Sequence, residues 1–150
     1  MGSFATGVTV VTTRVGNEAS AMTANAVLSL SLDPPLLLVS VQKESQMHQL
    51  LMRSNCFAIN ILSSGQAHLS ERFAQPGPKD LSDLETQKVV TGAPVLMDVL
   101  AFVDCQLRQV IAGGDHDMFI GEPMEGDLGE GGPLLFYAGG YGDLTIRRCE

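Results

Sequence analysis

The order of apolar and polar positions divides the chain into short elements. Gly7–Arg14 (Gly-Val-Thr-Val-Val-Thr-Thr-Arg) is β-branched almost throughout and reads as a strand. Val15–Glu18 has turn composition, and Ala19–Asn25 reads as the returning strand of a hairpin. Pro34 and Pro35 hold the residues before them in extended geometry. The apolar run Leu36–Val41 then reads as a strand buried on both faces. Ser45 is a good helix N-cap, and Met47, Leu50 and Leu51 share one face of a short helix ending near Asn55. Phe57–Leu62 is a further strand. Ser63 and Gln66 have capping-box spacing and open a second helix running to Ala74, with Leu69 and Phe73 on one face. Gln75–Asp80 reads as a loop. Between Ala101 and Ile111 apolar and polar residues alternate, which predicts a half-buried strand. Asp117–Glu122 and Leu134–Tyr137 are two more strands, and the acidic, glycine-rich stretch from Glu122 to Gly132 reads as a solvated loop between them. Roughly seven strands, with two or three short helices that do not alternate with them, predict a mainly β antiparallel barrel rather than a doubly wound sheet.

Composition narrows this. With 150 residues, 45% hydrophobic and 17% charged, the chain is expected to form one packed domain over residues 1–150. Seventeen acids against nine bases leave a net charge of −8, which disfavours nucleic acid and anionic membranes as partners. Cys56, Cys105 and Cys149 stand far apart with no CxxC pair, so neither a zinc site nor a disulfide framework is expected. No basic leader precedes an apolar core, and no apolar run reaches about 18 residues, so a cytoplasmic protein is expected.

Several familiar sites are excluded. No GxGxxG follows a strand, and neither a P-loop nor a GxSxG elbow is present. Asp115-His116-Asp117 point alternately to opposite faces of a strand and do not converge on a metal. What remains is small and polar. Thr23-Ala24-Asn25-Ala26, Ser29, Ser31, Ser40 and Ser45 offer hydroxyls and open backbone amides to a flat, polar-edged ligand. A flavin has such needs: donors at its pyrimidine edge, and hydroxyls, a helix N-terminus and a cation at its phosphate. Lys43, Ser45 and Arg72 are of the right types. Read from residues alone, Ser45 is at least as well explained as a helix cap and Arg72 as a solvated helix residue.

Whole blocks of the sequence add to this. Phe4–Thr13, Thr23–Ala26 and Ser29–Leu36 (Ser-Leu-Ser-Leu-Asp-Pro-Pro-Leu) resemble the short-chain flavin reductases of two-component monooxygenases. So do Phe57–Leu62, Leu69–Ala74, Gly92–Leu96, Gly114-Asp115-His116 and Pro133–Tyr137, in that family's order. The resemblance implies an FMN-binding split β-barrel, usually a homodimer, that takes FMN or FAD with NADH or NADPH and supplies reduced flavin to a separate oxygenase. A flavin-binding barrel without turnover is the alternative. Carried over by motif, the backbone of Thr23, Ala24 and Asn25 faces the isoalloxazine, with Ser29 and Ser31 in the neighbouring block. Ser40, Val41 and Gln42 run under the ribityl chain. Ser45, His48 and Arg72 hold the phosphate beside Phe73. His116 sits at the nicotinamide as the catalytic candidate, with Tyr141 nearby. The chain departs from the family's pattern at His48, where a threonine is frequent, and at Ala138, where an arginine is frequent. It reaches Phe4 sooner than that family does, so a leading helix is expected either to be absent or to lie outside the given sequence.

Overall fold

The computed structural model describes residues 1–149. The chain runs β1 (Thr6–Gly7), β2 (Thr9–Val15), β3 (Glu18–Ala24), β4 (Val27–Leu32), β5 (Pro35–Gln42), α1 (Gln46–Arg53), β6 (Cys56–Ile61) and α2 (Ala67–Ala74). It continues with β7 (Thr86–Lys88), β8 (Pro94–Leu96), β9 (Ala101–Gly113), β10 (His116–Leu128), β11 (Leu135–Tyr137) and β12 (Gly140–Gly142). Seven strands form one antiparallel sheet in the order β3-β2-β6-β9-β10-β5-β4. β1, β11 and β12 make a second sheet, and β7 pairs with β8. This is the mainly β split barrel with two short helices that the sequence led us to expect.

The two helices flank one hairpin. Adjacent residues of a strand face opposite ways, and β2 uses both faces. Val11 belongs to a buried cluster with Val39, Phe57 and Phe119, into which α1 inserts Met47 and Leu51. Val10 belongs to another, with Ala21 and Leu62, into which α2 inserts Leu69 and Phe73. β3, the edge strand of the seven, is therefore left between the start of α1 and the end of α2.

Three expectations need correction. Val27–Leu32 is a strand, not merely a polar segment: its alternating Leu and Ser pair with β5 at the sheet's other edge. The Glu122–Gly132 stretch is not all loop, because β10 continues to Leu128 beside β9. A Cβ on Gly126 would lie 2.8 Å from the carbonyl oxygen of Phe102, so this glycine allows close strand approach and does not mark a turn. Finally, β9 is not half-buried by simple alternation: Asp104, on the predicted solvent face, is fully buried. The Thr91–Leu96 stretch covers it, and its carboxylate accepts from the amides of Val90 and Thr91, each at 2.9 Å, and from the Thr91 hydroxyl.

Candidate functional site

A cleft of about 670 Å³ lies over edge strand β3. Its floor is Ala21, Met22, Met47 and Phe73, so its base is apolar. Gln42 and Ser45 form one wall, and the loop from Gln75 to Lys79 forms the other. The volume falls within the range of about 300–1,000 Å³ usual for small-molecule sites.

The start of α1 explains one wall. Ser45 caps the helix: its Oγ accepts from the His48 amide at 3.1 Å and donates to the Gln42 carbonyl at 2.8 Å. First-turn amides have no intrahelical acceptor, and those of Gln46 and Met47 belong to residues lining the cleft. His48 turns away from it. Its Nε2 lies 2.6 Å from Asp117 Oδ2, its ring meets Phe119 edge-on at 5.4 Å, and so it ties α1 to β10. That hydrogen bond, with Lys43 Nζ 3.6 Å from the other oxygen, holds the Asp117 carboxyl below the usual aspartate range.

Arg72 is also committed elsewhere. Its fork donates to both oxygens of Asp83, at 2.8 and 2.6 Å, and to the Asp80 carbonyl at 2.8 Å. Asp83 raises the guanidinium's pKa and is itself lowered by Arg72. Arg72 stacks over Phe73, 5.1 Å from the ring centre, but does not line the cleft.

The remaining candidates divide into three groups. Thr23 donates to the Ser70 carbonyl at 2.6 Å, and Tyr141 donates to the Ser70 hydroxyl at 2.8 Å, so both lock onto α2. The Ala24 carbonyl accepts from Thr9, Asn25 is exposed, and the Ser40 amide donates to the Ala26 carbonyl. Thus Ala26, the end of the Thr23–Ala26 block, meets Ser40 through the backbone. Val41 is fully buried and offers a ligand no side chain. Ser29 and Ser31 lie on β4, at the opposite edge of the sheet from β3. His116 stands opposite Gln42 across the β5–β10 ladder, with Nδ1 2.8 Å from Asp115 Oδ1. Its half-exposed ring therefore keeps Nε2 uncommitted beside the wall that Gln42 forms.

Sequence reasoning missed Ser20 and Lys79. Ser20 lies in an unremarkable strand, yet the residue lines the cleft while its Oγ is buried behind it without a hydrogen-bond partner. Lys79 lies in what reads as a plain loop. Met47 was legible only as core. An apolar floor, a lysine and the first-turn amides of α1 fit a ligand with a flat apolar body and a polar or anionic extension, which is the chemistry of a flavin nucleotide.

Comparison with known proteins points the same way. A family model described as "Flavin reductase like domain" matches residues 1–145. The FMN reductase (NADH) SmoA of Agrobacterium fabrum is 38% identical over 145 residues, covering 97% of this chain and 83% of that one. The reductase component of 4-hydroxyphenylacetate 3-monooxygenase from Thermus thermophilus is 40% identical over 143 residues, covering 95% and 91%. Among solved structures, the NADH:FAD oxidoreductase SgcE6 of Streptomyces globisporus in complex with NAD and FAD fragments is 34% identical and superimposes with a TM-score of 0.88, covering 96% of this chain and 88% of that one. Sequence blocks, barrel and cleft thus agree with a match over nearly the whole length, and the chain belongs to the flavin reductase like domain family.

Proposed function

We propose that this chain transfers hydride from NADH or NADPH to FMN or FAD and supplies the reduced flavin to a separate oxygenase component. The observation that carries the reading is the match over nearly the full length to NADH-dependent flavin reductases and to a monooxygenase reductase component. Bound flavin supplies the hydride-accepting chemistry, so the protein's task is placement and exclusion of water. Met22, Met47 and Phe73 offer an apolar bed and Gln42 stands in its wall; the Thr23–Asn25 backbone and Ser40 are assigned to the flavin by the motif resemblance. His116, held by Asp115 through Nδ1, presents Nε2 to the nicotinamide. The test is to add NADH and FMN to the purified protein and follow the nicotinamide absorbance. Steady loss of that band is expected. Flavin fluorescence quenching without NADH oxidation would favour a binding protein instead. His116→Ala is expected to raise the KM for NADH or to slow flavin reduction, and unchanged reduction kinetics would remove His116 from the site.

The protein acts as a homodimer on this reading. The support is β4, an edge strand whose Leu28, Leu30 and Leu32 are 48%, 43% and 87% exposed. A monomer by light scattering would contradict it. The buried, unpaired thiols of Cys56 and Cys105 suit a reducing compartment such as the cytoplasm. Among the described residues no helix is long and apolar enough to cross a membrane.

A further inference from the structure

We propose that the outer edge of β10 accepts one more strand, and that this strand is the C-terminal segment, residues 144–148, of a second copy of this chain. The inference goes beyond the reductase reading and does not depend on it. It starts from the backbone groups of β10. β5 pairs with β10 only from His116 to Gly121, whereas β9 stays paired with it to Leu128. From residue 122 to 128, β10 therefore has one partner and one open edge, and residues 124–128 are exposed. The Gly129 amide donates to the Leu100 carbonyl, just before β9, at 2.7 Å. Ladder bonds alternate along an antiparallel strand, so Asp127 faces β9 as well, and Gly126 and Leu128 turn their N–H and C=O groups outward. Their amides donate to the carboxylates of the residues before them, Glu125 at 3.0 Å and Asp127 at 2.8 Å. Pro123, with the register shift between it and Glu125, discourages indiscriminate pairing at such an edge. What remains is a short template that selects its partner by side chains.

Those side chains define the partner. Gly126 and Leu128 share one face of β10, and Glu125 and Asp127 share the other. Leu128 is 76% exposed. Neither Glu125 nor Asp127 pairs with a cation among the described residues. A strand that suits both faces alternates apolar with basic residues. After Arg108 the sequence has no Lys or Arg until Arg147 and Arg148. Leu144-Thr145-Ile146-Arg147 has the required alternation: Leu144 and Ile146, both exposed, fall on one face, and Thr145 and Arg147 on the other. Ile146 and both arginines lie beyond the residues that the family model matches. Residues 143–149 are exposed and enter no ladder of their own chain. Edge and segment thus coexist in one chain without meeting. Exchange between two copies satisfies both: each segment pairs with the other copy's β10, and two-fold symmetry closes the assembly.

Because β4 offers another contact between copies, the readout is amide hydrogen exchange at this edge, followed by NMR on the full chain, rather than mass. The Gly126 and Leu128 amides are expected to exchange about tenfold more slowly in concentrated than in dilute protein. Added salt should shrink that difference. The double substitution Ile146→Asp with Arg147→Glu is expected to abolish the protection while leaving NADH oxidation as in wild type. An isotope-labelled sample of this tail variant, which keeps an intact edge, is then mixed with an unlabelled Glu125→Lys, Asp127→Lys variant, which keeps an intact segment. Protection should return in the labelled chain. Protection that is independent of concentration would place the segment on its own edge and overturn the second-copy assignment. Fast exchange at every concentration, protection that survives in the tail variant alone, or a mixture without recovery would overturn it as well. Wild-type protein that shows the protection yet oxidises no NADH would overturn the reductase reading alone.

Discussion

Gly121→Ala tests how tightly the barrel is closed beneath α1. Gly121 is buried on β10 at an irregularity in its pairing with β9. A Cβ there would lie 2.5 and 2.7 Å from two ring atoms of Phe57 and 2.9 Å from the Cβ of Cys105. Carbon atoms prefer a separation of about 3.5–4.0 Å, so the ring would have to retreat by roughly 1 Å. Phe57 is fully buried and packed in the cluster with Val11, Val39 and Phe119, so it has nowhere to go. Overpacking of this kind costs about 1–3 kcal/mol, and three contacts under 3 Å put this site at the upper end. Replacing a strand glycine with alanine returns roughly 0.5–1 kcal/mol of chain entropy. The net loss is then about 2 kcal/mol, a fall in Tm of roughly 4–8 °C for a chain of this size. Urea and thermal unfolding, followed by circular dichroism, measure it. Phe57→Leu removes the far end of the ring. It is destabilising alone, yet Gly121→Ala added to it should cost less than in wild type, because only the Cys105 contact remains, giving a coupling of about 1 kcal/mol or more. Simple addition of the two losses, or a Gly121→Ala protein as stable as wild type, would show that the clash is not what fixes this position. Because Phe57 packs in the same cluster as Met47 and Leu51, FMN affinity should fall along with stability.

Three further outcomes are expected. Asp104→Ala leaves two backbone amides and the Thr91 hydroxyl without their acceptor in a buried site, and should cost about 3 kcal/mol or more in urea unfolding. A loss under 1 kcal/mol would mean that the Val90–Ala93 stretch re-pairs elsewhere. The His48 hydrogen bond and the Lys43 charge lower the folded pKa of Asp117. Its stabilisation is therefore complete above the ordinary aspartate range and is lost as pH falls through the lowered value. Thermal unfolding of Asp117→Asn should show a weaker acid dependence than wild type, and identical profiles would sink the linkage. Burial pushes the Cys105 thiol up to about 12 and Cys56 is buried too, whereas Cys149 is exposed. A thiol reagent at pH 8 should label one cysteine per native chain and three after denaturation. Labelling of all three at the same rate in the native protein would contradict the burial.

Much of the fold was legible because local chemistry and final environment agree. The β-branched run became β2, and Ser45 caps α1 where its spacing from the first apolar residue places it. The failures occur where a distant segment supplies the environment. Asp104 alternates with apolar neighbours and so reads as solvent-facing; only the fold brings the Val90 and Thr91 amides over it. The Ser29–Ser31 stretch reads as polar because an edge strand buries little. Gly126 reads as loop because composition does not distinguish a glycine needed for a turn from one needed for close approach.

The same distinction governs the site. Motif resemblance identifies Ser45, His48 and Arg72 by type and spacing, but a side chain serves a ligand only with hydrogen-bonding capacity that the fold has not already used. The Ser45 hydroxyl donates its hydrogen bond to the Gln42 carbonyl, His48 faces Asp117, and Arg72 faces Asp83. Gln42 is only three residues from Ser45, but Asp83 lies eleven residues beyond Arg72 and Asp117 sixty-nine beyond His48, so only the fold reveals those two partners. Lys79 belongs to no motif, yet its ammonium retains capacity where the cleft is. If ligand recognition follows unspent donors rather than motif membership, substitution at Lys79 will change flavin affinity more than substitution at Arg72, although Arg72 is the residue that resemblance would select first.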